Sequence, residues 1–326
     1  MTDTATRPNA PAHPVWKVAL IRPEVMTFAL LVLAIVVASQ ISPFFLDINY
    51  ILRSFTLYSE IALVALVLTT VIIAGEIDLS GAAQMALSAS LFAWAQASGV
   101  PVPLAMVIAL LSGLAMGGLN AFLVIALQLP SIIVTIGTLI LFRGLAQVIA
   151  GDRSIRVPEW FIGINEVMVL GIPVPVIVFA ATALVLALVM GLTIFGRQIY
   201  LIGTNVDAAR HAGIRAARIK TMLFLLLGLV AAIAGLMTAS RLGSVRYDLA
   251  LGGELQMVLI AMLGGTYIFG GRGTILGSFL AAWLLVIVST GMIVANWLPA
   301  WQLCVLGLML IVSIVATNLI YSRTQR

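Results

Sequence analysis

The chain has 326 residues, 62% of them hydrophobic and only 9% charged, with a mean hydropathy of +1.18. A soluble domain of this length does not carry that much apolar surface, so the composition excludes one and points to an all-α polytopic membrane protein. The net charge of +5 and pI near 9.8 would suit nucleic acid, but the basic residues lie between apolar runs without aromatic interleaving, so membrane topology explains them and a nucleic-acid partner is set aside.

Residues 1–22 are polar and hold Pro8, Pro11 and Pro14, which reads as a flexible cytoplasmic tail. The apolar run that follows ends in Ala38, Ser39 and Gln40 without a convincing cleavage pattern and reads as a retained first span. With about 17 to 25 residues per span, ten helices are expected near 26–41, 55–74, 81–98, 103–127, 131–150, 173–193, 219–239, 253–269, 274–295 and 300–319. The second, third and eighth carry Gly, Asp or Glu and are expected to be broken or re-entrant. Ten spans put both termini on one side. That side carries Arg7, Lys17, Arg22, Arg197, Arg210, Arg215, Arg218, Lys220, Arg272, Arg323 and Arg326 against Arg53, Arg153, Arg156, Arg241 and Arg246 on the other, so both termini are expected in the cytoplasm. Trp297 and Trp301 flank an outer turn, and the lone Cys304 reads as a buried structural thiol.

Ionisable residues near or within apolar runs are few: Glu60, Glu76, Asp78, Arg143 and Glu254. Each is a functional candidate because charge at mid-bilayer is costly. In GEIDLS, residues 75–80, Gly75 releases one helix while Asp78 and Ser80 cap the next, or Asp78 helps pass a polar solute. In PSIIVTIGTLILFRGL, residues 130–145, Thr135 and Thr138 share a face where their hydroxyls bond back to the backbone or line a pathway. Arg143 must reach an acid, exposed carbonyls or the interface. The outer segment 151–172, with Trp160 and Phe161, caps the mouth, meets a partner or lies on the surface as an amphipathic segment.

Gly113, Gly117 and Asn120 share one helix face, and Gly273 and Gly277 another, so close helix packing is expected at both. The glycine-rich run 263–277 is not a phosphate loop, because the only lysines are Lys17 and Lys220 and neither follows glycine. It reads as a tight cytoplasmic turn at Gly270, Gly271 and Gly273, with Arg272 facing anionic lipid.

The longest charged interruption is GRQIYLIGTNVDAARHAGIRAARIK, residues 196–220. A short helix fits inside it, with Thr204 as N-cap, Asp207 as its capping-box partner and Gly213 as the stop. Asn205, Ala208, Ala209 and Ala212 form a face of small side chains, with Asp207 one turn before Arg210 and His211 on the other side. The segment is a solvated loop or a docking element. His13 and His211 supply no metal site and no serine–histidine pair within the membrane, so no catalytic residue, metal ligand or bound cofactor is expected. An ion-coupled transporter using Glu60, Glu76 or Asp78 as proton carrier is the alternative, and it leaves the docking helix without a purpose.

Four collinear motifs carry a resemblance: GEIDLS at 75–80, PSIIVTIGT at 130–138 followed by Arg143-Gly144, GRQIYLIGTNVDAARHAGI at 196–214, and LGGTYIFGGRGTILGSFLAA at 263–282. Together they resemble the membrane subunits of ATP-binding-cassette importers for sugars of the ribose, xylose and rhamnose kind, relatives of branched-chain amino acid permeases. The resemblance implies a permease domain over 25–320 with a coupling loop at 195–218, between tails 1–24 and 321–326. It implies a second permease subunit, a cytoplasmic ATPase that does the hydrolysis, and a periplasmic sugar-binding protein. Residues Gly203, Asn205, Ala208, Ala209, Arg210, Gly213 and Ile214 then belong to the coupling helix. Gly75, Glu76, Asp78, Ser80, Thr135, Thr138 and Arg143 then belong to the pathway or its helix break. Many relatives have Gly at position 76 and Val-Gly after the serine, where this chain has Glu76 and Gly81-Ala82. With GVPVPLA and VPEWF elsewhere, that looks closer to the rhamnose branch, with autoinducer-2 permeases another close branch.

Overall fold

The computed structural model describes residues 23–163 and 167–323. The tail 1–22, with Arg7, His13, Lys17 and Arg22, and residues 324–326 lie outside the described residues. In lipid each backbone group must find its partner within its own segment, so the apolar runs form helices. They are α1 (Pro23–Ile41), α2 (Ile48–Thr56), α3 (Ser59–Ile73), α4 (Gly81–Ala97), α5 (Val102–Ala121, prolonged by a π-helical turn Phe122–Ala126), α6 (Ser131–Ala150) and α7 (Val174–Leu192). After them come α8 (Ile194–Thr204), α9 (Val206–His211), α10 (Ala216–Leu242), α11 (Gly253–Leu263), α12 (Ile275–Val294) and α13 (Pro299–Arg323). Pro101, Pro130 and Pro173 stand at the N-terminal boundaries of α5, α6 and α7, where the missing amide costs nothing.

Among the described residues seven helices are long and apolar enough to cross a membrane, or eight if α2 and α3, which meet at 73°, form one span. The ten expected spans all coincide with helices, but α4 has 17 residues and α11 only 11. At about 1.5 Å per residue α11 reaches roughly 16 Å, half a bilayer core. The expected breaks in the second and eighth spans correspond to the α2–α3 bend and to this half-length helix. The third, α4, runs unbroken.

Helix α10 is the central post. It packs against α5, α4 and α3, and α3 is buried along its length except at Ile61. Glycine makes the approach possible: Gly113 and Gly117 of α5 face the carbonyls of Gly228 and Phe224 on α10, with no room for a Cβ. Asn120 is buried on the same side of α5. The other expected small face is corrected. Gly273 lies outside α12 in a loop with φ +145°, and only Gly277 is helical, against the Gly264 carbonyl.

The bundle has two distinguishable ends. At one, β1 (Ile155–Arg156) and β4 (Ser244–Val245) pair antiparallel, and the Val157 amide donates to the Gly243 carbonyl at 3.2 Å. There Phe161 is buried 4.9 Å from the Phe92 ring while Trp160 is exposed, and β2 (Met168–Val169) pairs with β3 (Ile172–Pro173). Residues 151–163 of this segment are thus pinned into the fold through Phe161. At the other end the Tyr321 hydroxyl donates to the Gly265 carbonyl at 3.0 Å, and Pro23 crowds the same glycine. The first and last described helices therefore start and finish together.

Cys304 is exposed, which corrects the expectation of a buried thiol. An apolar run marks contact with lipid as readily as with protein, and most of α13 faces outward. Trp297 and Trp301 are also exposed, as interfacial aromatics are.

Replacing Gly228 with Leu will force α5 and α10 apart, lowering stability by roughly 1–3 kcal/mol or more. Gly191→Leu, with open space around it, will be neutral. Thermal unfolding of both purified variants in detergent checks this.

Candidate functional site

Helix α8 is capped by Thr193, whose Oγ1 accepts from the Gly196 amide at 3.1 Å. It hands over directly to α9 at Asn205. The extended backbone of Asn205 (φ −160°, ψ 106°) lets its Oδ1 accept from the amides of Asp207 and Ala208, each at 3.0 Å. Asn205, not Thr204, is therefore the N-cap. Thr204 is still helical and donates to the Tyr200 carbonyl at 2.8 Å. The expected capping-box role of Asp207 is also corrected: its carboxylate sits 3.5 Å from Arg210, an exposed pair of small energetic worth. Gly213, with φ +79°, ends the helix as expected. Its amide donates to the Arg210 carbonyl and that of Ile214 to Ala209, both at 3.0 Å. Asn205, Ala208 and Ala212 are exposed, whereas Ala209 is turned inward at 4% exposure, so the small-residue face is divided between surface and core.

The base of α8 is where the motifs meet. At Gly203 a Cβ would strike the Ile73 carbonyl and the Gly271 amide, and Gly271 itself donates to Ile73 at 2.8 Å. Gly270 packs on Gly75, and the Tyr200 hydroxyl donates to the Gly273 carbonyl at 2.9 Å. Lys220, at the start of α10, forms an ion pair with Glu76. Ser131 Oγ accepts from the Ile77 amide at 3.2 Å, and Thr135 reaches the Ile77 carbonyl at 3.3 Å. All four motifs thus touch within residues 73–77. Arg272, half-exposed, stacks 4.9 Å over the Tyr321 ring.

Beyond the break at Gly75 (φ +84°) lies a buried polar cluster. Asp78 is 2% exposed; its Oδ1 accepts from the Ser80 amide at 2.7 Å and hydroxyl at 2.6 Å, and its Oδ2 from Asn120 Nδ2 at 3.0 Å. Ser80 Oγ accepts in turn from Asn120 at 2.9 Å and Gln84 at 2.7 Å. Ser80 occupies the N-cap position of α4 but its side chain caps nothing. Gln84 was missed by sequence reasoning and Asn120 was read only as packing. An amide inside an apolar run is the signal that points to both.

The remaining candidates lie elsewhere. Thr138 bonds back to the Thr135 carbonyl at 3.4 Å, the local outcome anticipated for threonine. Arg143 is at the opposite end of the bundle, where Nη1 donates to the carbonyls of Tyr247 at 2.9 Å and Leu249 at 2.6 Å. Glu60 is buried and accepts from Arg241 Nε at 2.8 Å. Among the described residues no group of three or more His, Cys, Asp or Glu is placed to hold a metal ion.

Asp78→Ala strips three donors of their acceptor and will cost about 1–3 kcal/mol for the groups left unpaired in the core. Combined with Asn120→Ala it will cost less than the sum of the two, because they share one network. A double-mutant cycle on thermal unfolding checks both expectations.

Residues 50–314 match the family model described as branched-chain amino acid transport system / permease component. The Autoinducer 2 import system permease protein LsrD of Escherichia coli O9:H4 (strain HS), of E. coli K12 and of Shigella flexneri are each 34% identical over 309 residues, spanning 93% of this chain and 94% of theirs. No solved structure matches the chain. The matched region holds all four motifs and the junction they build. The chain belongs to the branched-chain amino acid transport system permease family, as a multi-pass inner-membrane permease subunit of the ATP-binding-cassette importer kind.

Proposed function

We propose that this permease carries a monosaccharide or closely related hydroxylated solute inward, driven by a separate cytoplasmic ATPase whose groove receives α9. The chain itself contributes no hydrolysis and no bound cofactor. A second permease subunit completes the pathway, and a periplasmic binding protein delivers the solute. The surplus of basic residues supports a cytoplasmic position for α9 and both termini.

One observation carries the reading: an exposed six-residue helix stands on a junction where backbone touches backbone without side chains between. Closure of the ATPases moves α9, and α8 transmits the movement at Gly203 to the end of α3, to the break before α4 and to the loop before α12. The Lys220–Glu76 pair ties α10 into the same movement. With α3, α4, α10 and α12 tilting together, the pathway alternates between its two openings. A solute chemistry close to autoinducer 2 is favoured by the relatives' names and their 34% identity over 93% of this chain. The rhamnose lean rests on Glu76 and two short stretches.

Ala208→Trp changes an exposed position on α9, so stability will hold while binding-protein-stimulated ATP hydrolysis of the reconstituted complex falls at least about tenfold, which is about 1.4 kcal/mol of lost coupling. Unchanged hydrolysis would remove α9 from the docking surface. In vesicles, uptake will survive a protonophore and stop when the ATPase is inactivated; the reverse pattern would establish the ion-coupled alternative.

A further inference from the structure

Arg143, in the half of α6 away from α9, spends one guanidinium nitrogen on the carbonyls of Tyr247 and Leu249. Its Nε and Nη2 are sealed from solvent and have no acceptor. Glu254, in the first turn of α11, has Oε2 sealed and without a donor. The carboxylates that flank those two carbonyls in the chain are Asp248, between them, and Glu254, five residues after Leu249. Asp248 is already held by both Nε and Nη2 of Arg246, at 3.1 and 3.0 Å. Glu254 is the acid left over, yet Arg143 and Glu254 do not close into an ion pair among the described residues.

Two unmade donors and one unmade acceptor, of opposite charge, thus stand on two different elements beside the loop that Arg143 latches. Arg143 and Glu254 are half-buried as residues, but charged atoms sealed from solvent without a partner are costly, and a missing ligand is one account of them. A planar guanidinium fork beside a carboxylate suits adjacent hydroxyl groups, whose oxygens accept from the arginine and whose protons go to the acid. We propose that Arg143 and Glu254 are a solute-contact pair at the end of the pathway opposite α9, specific for a polyhydroxylated solute. The loop over residues 246–252, bent at Ala250 (φ +55°) and Gly252 (φ +81°), is held to Arg143 by the two carbonyl bonds in this structure and frees the guanidinium when they part. This inference rests on the reading that the permease carries a hydroxylated solute.

The test uses the full complex in vesicles, with permease, ATPase and loaded binding protein, and with radiolabelled D-ribose, D-xylose, L-rhamnose and autoinducer 2 as probes. Arg143→Lys, Glu254→Gln and the milder Glu254→Asp, each checked for thermal stability, will lower uptake of the accepted probe at least about tenfold (about 1.4 kcal/mol). Binding-protein-stimulated ATP hydrolysis will persist, so more ATP is consumed per solute. The charge exchange Arg143→Glu with Glu254→Arg will not recover uptake. Recovery in the exchanged variant would show that the two residues serve only each other, and uptake within twofold of wild type in all single variants would show no contact; either overturns the site. A wild-type complex that imports none of the probes overturns the hydroxylated-solute reading itself, and the site with it.

Discussion

Backbone meets backbone at Gly203, against the carbonyl that ends α3 and the amide that Gly271 donates to that same carbonyl. A contact of this kind transmits displacement without the slack of side-chain rotamers, because interdigitated side chains hop between wells whereas packed peptide units do not. Everything in the functional reading depends on it. The exposed helix α9 is the part that a partner can hold, but it is short and isolated helices of that length have no stability of their own. It is useful only because α8 seats it on the junction of three other motifs.

The buried cluster around Asp78 complements this junction. A chain that breaks helix in a dry environment must find partners for the freed groups. Here Asp78 takes the Ser80 amide, and its carboxyl is tied in turn to Ser80, Gln84 and Asn120 in one side-chain network across α4 and α5. The cluster fixes the geometry of the turn after Gly75 while Glu76, two residues away from the acid, reaches out to Lys220. A turn fixed by a side-chain network and an ion pair to α10 thus stand side by side.

Much of the architecture was legible because apolar runs, proline starts and glycine stops are local signals. Gly113 and Gly117 were readable as a packing face and found their partner in α10. Other features were not. Thr204 and Asn205 are both good capping residues, and only the uninterrupted approach of α8 decides for Asn205. Cys304 looked buried because an apolar helix gives no sign of whether lipid or protein surrounds it. The Glu76–Lys220 pair joins residues 144 apart in sequence, and no spacing rule reaches so far. Gln84 carries no charge and was hidden among alanines, although its burial makes it as demanding of partners as Asp78.

The most direct measurement follows displacement across the junction. Spin labels at the exposed Arg215, just after α9, and at Arg153 in the loop at the opposite end, in a Cys304→Ser background, report their separation while the ATPase is trapped in its closed, nucleotide-bound state. If Gly203 transmits the movement, the separation changes on trapping in the otherwise native permease and stays fixed in a Gly203→Ala variant that still binds its ATPase. A separation that changes equally in both would contradict the account.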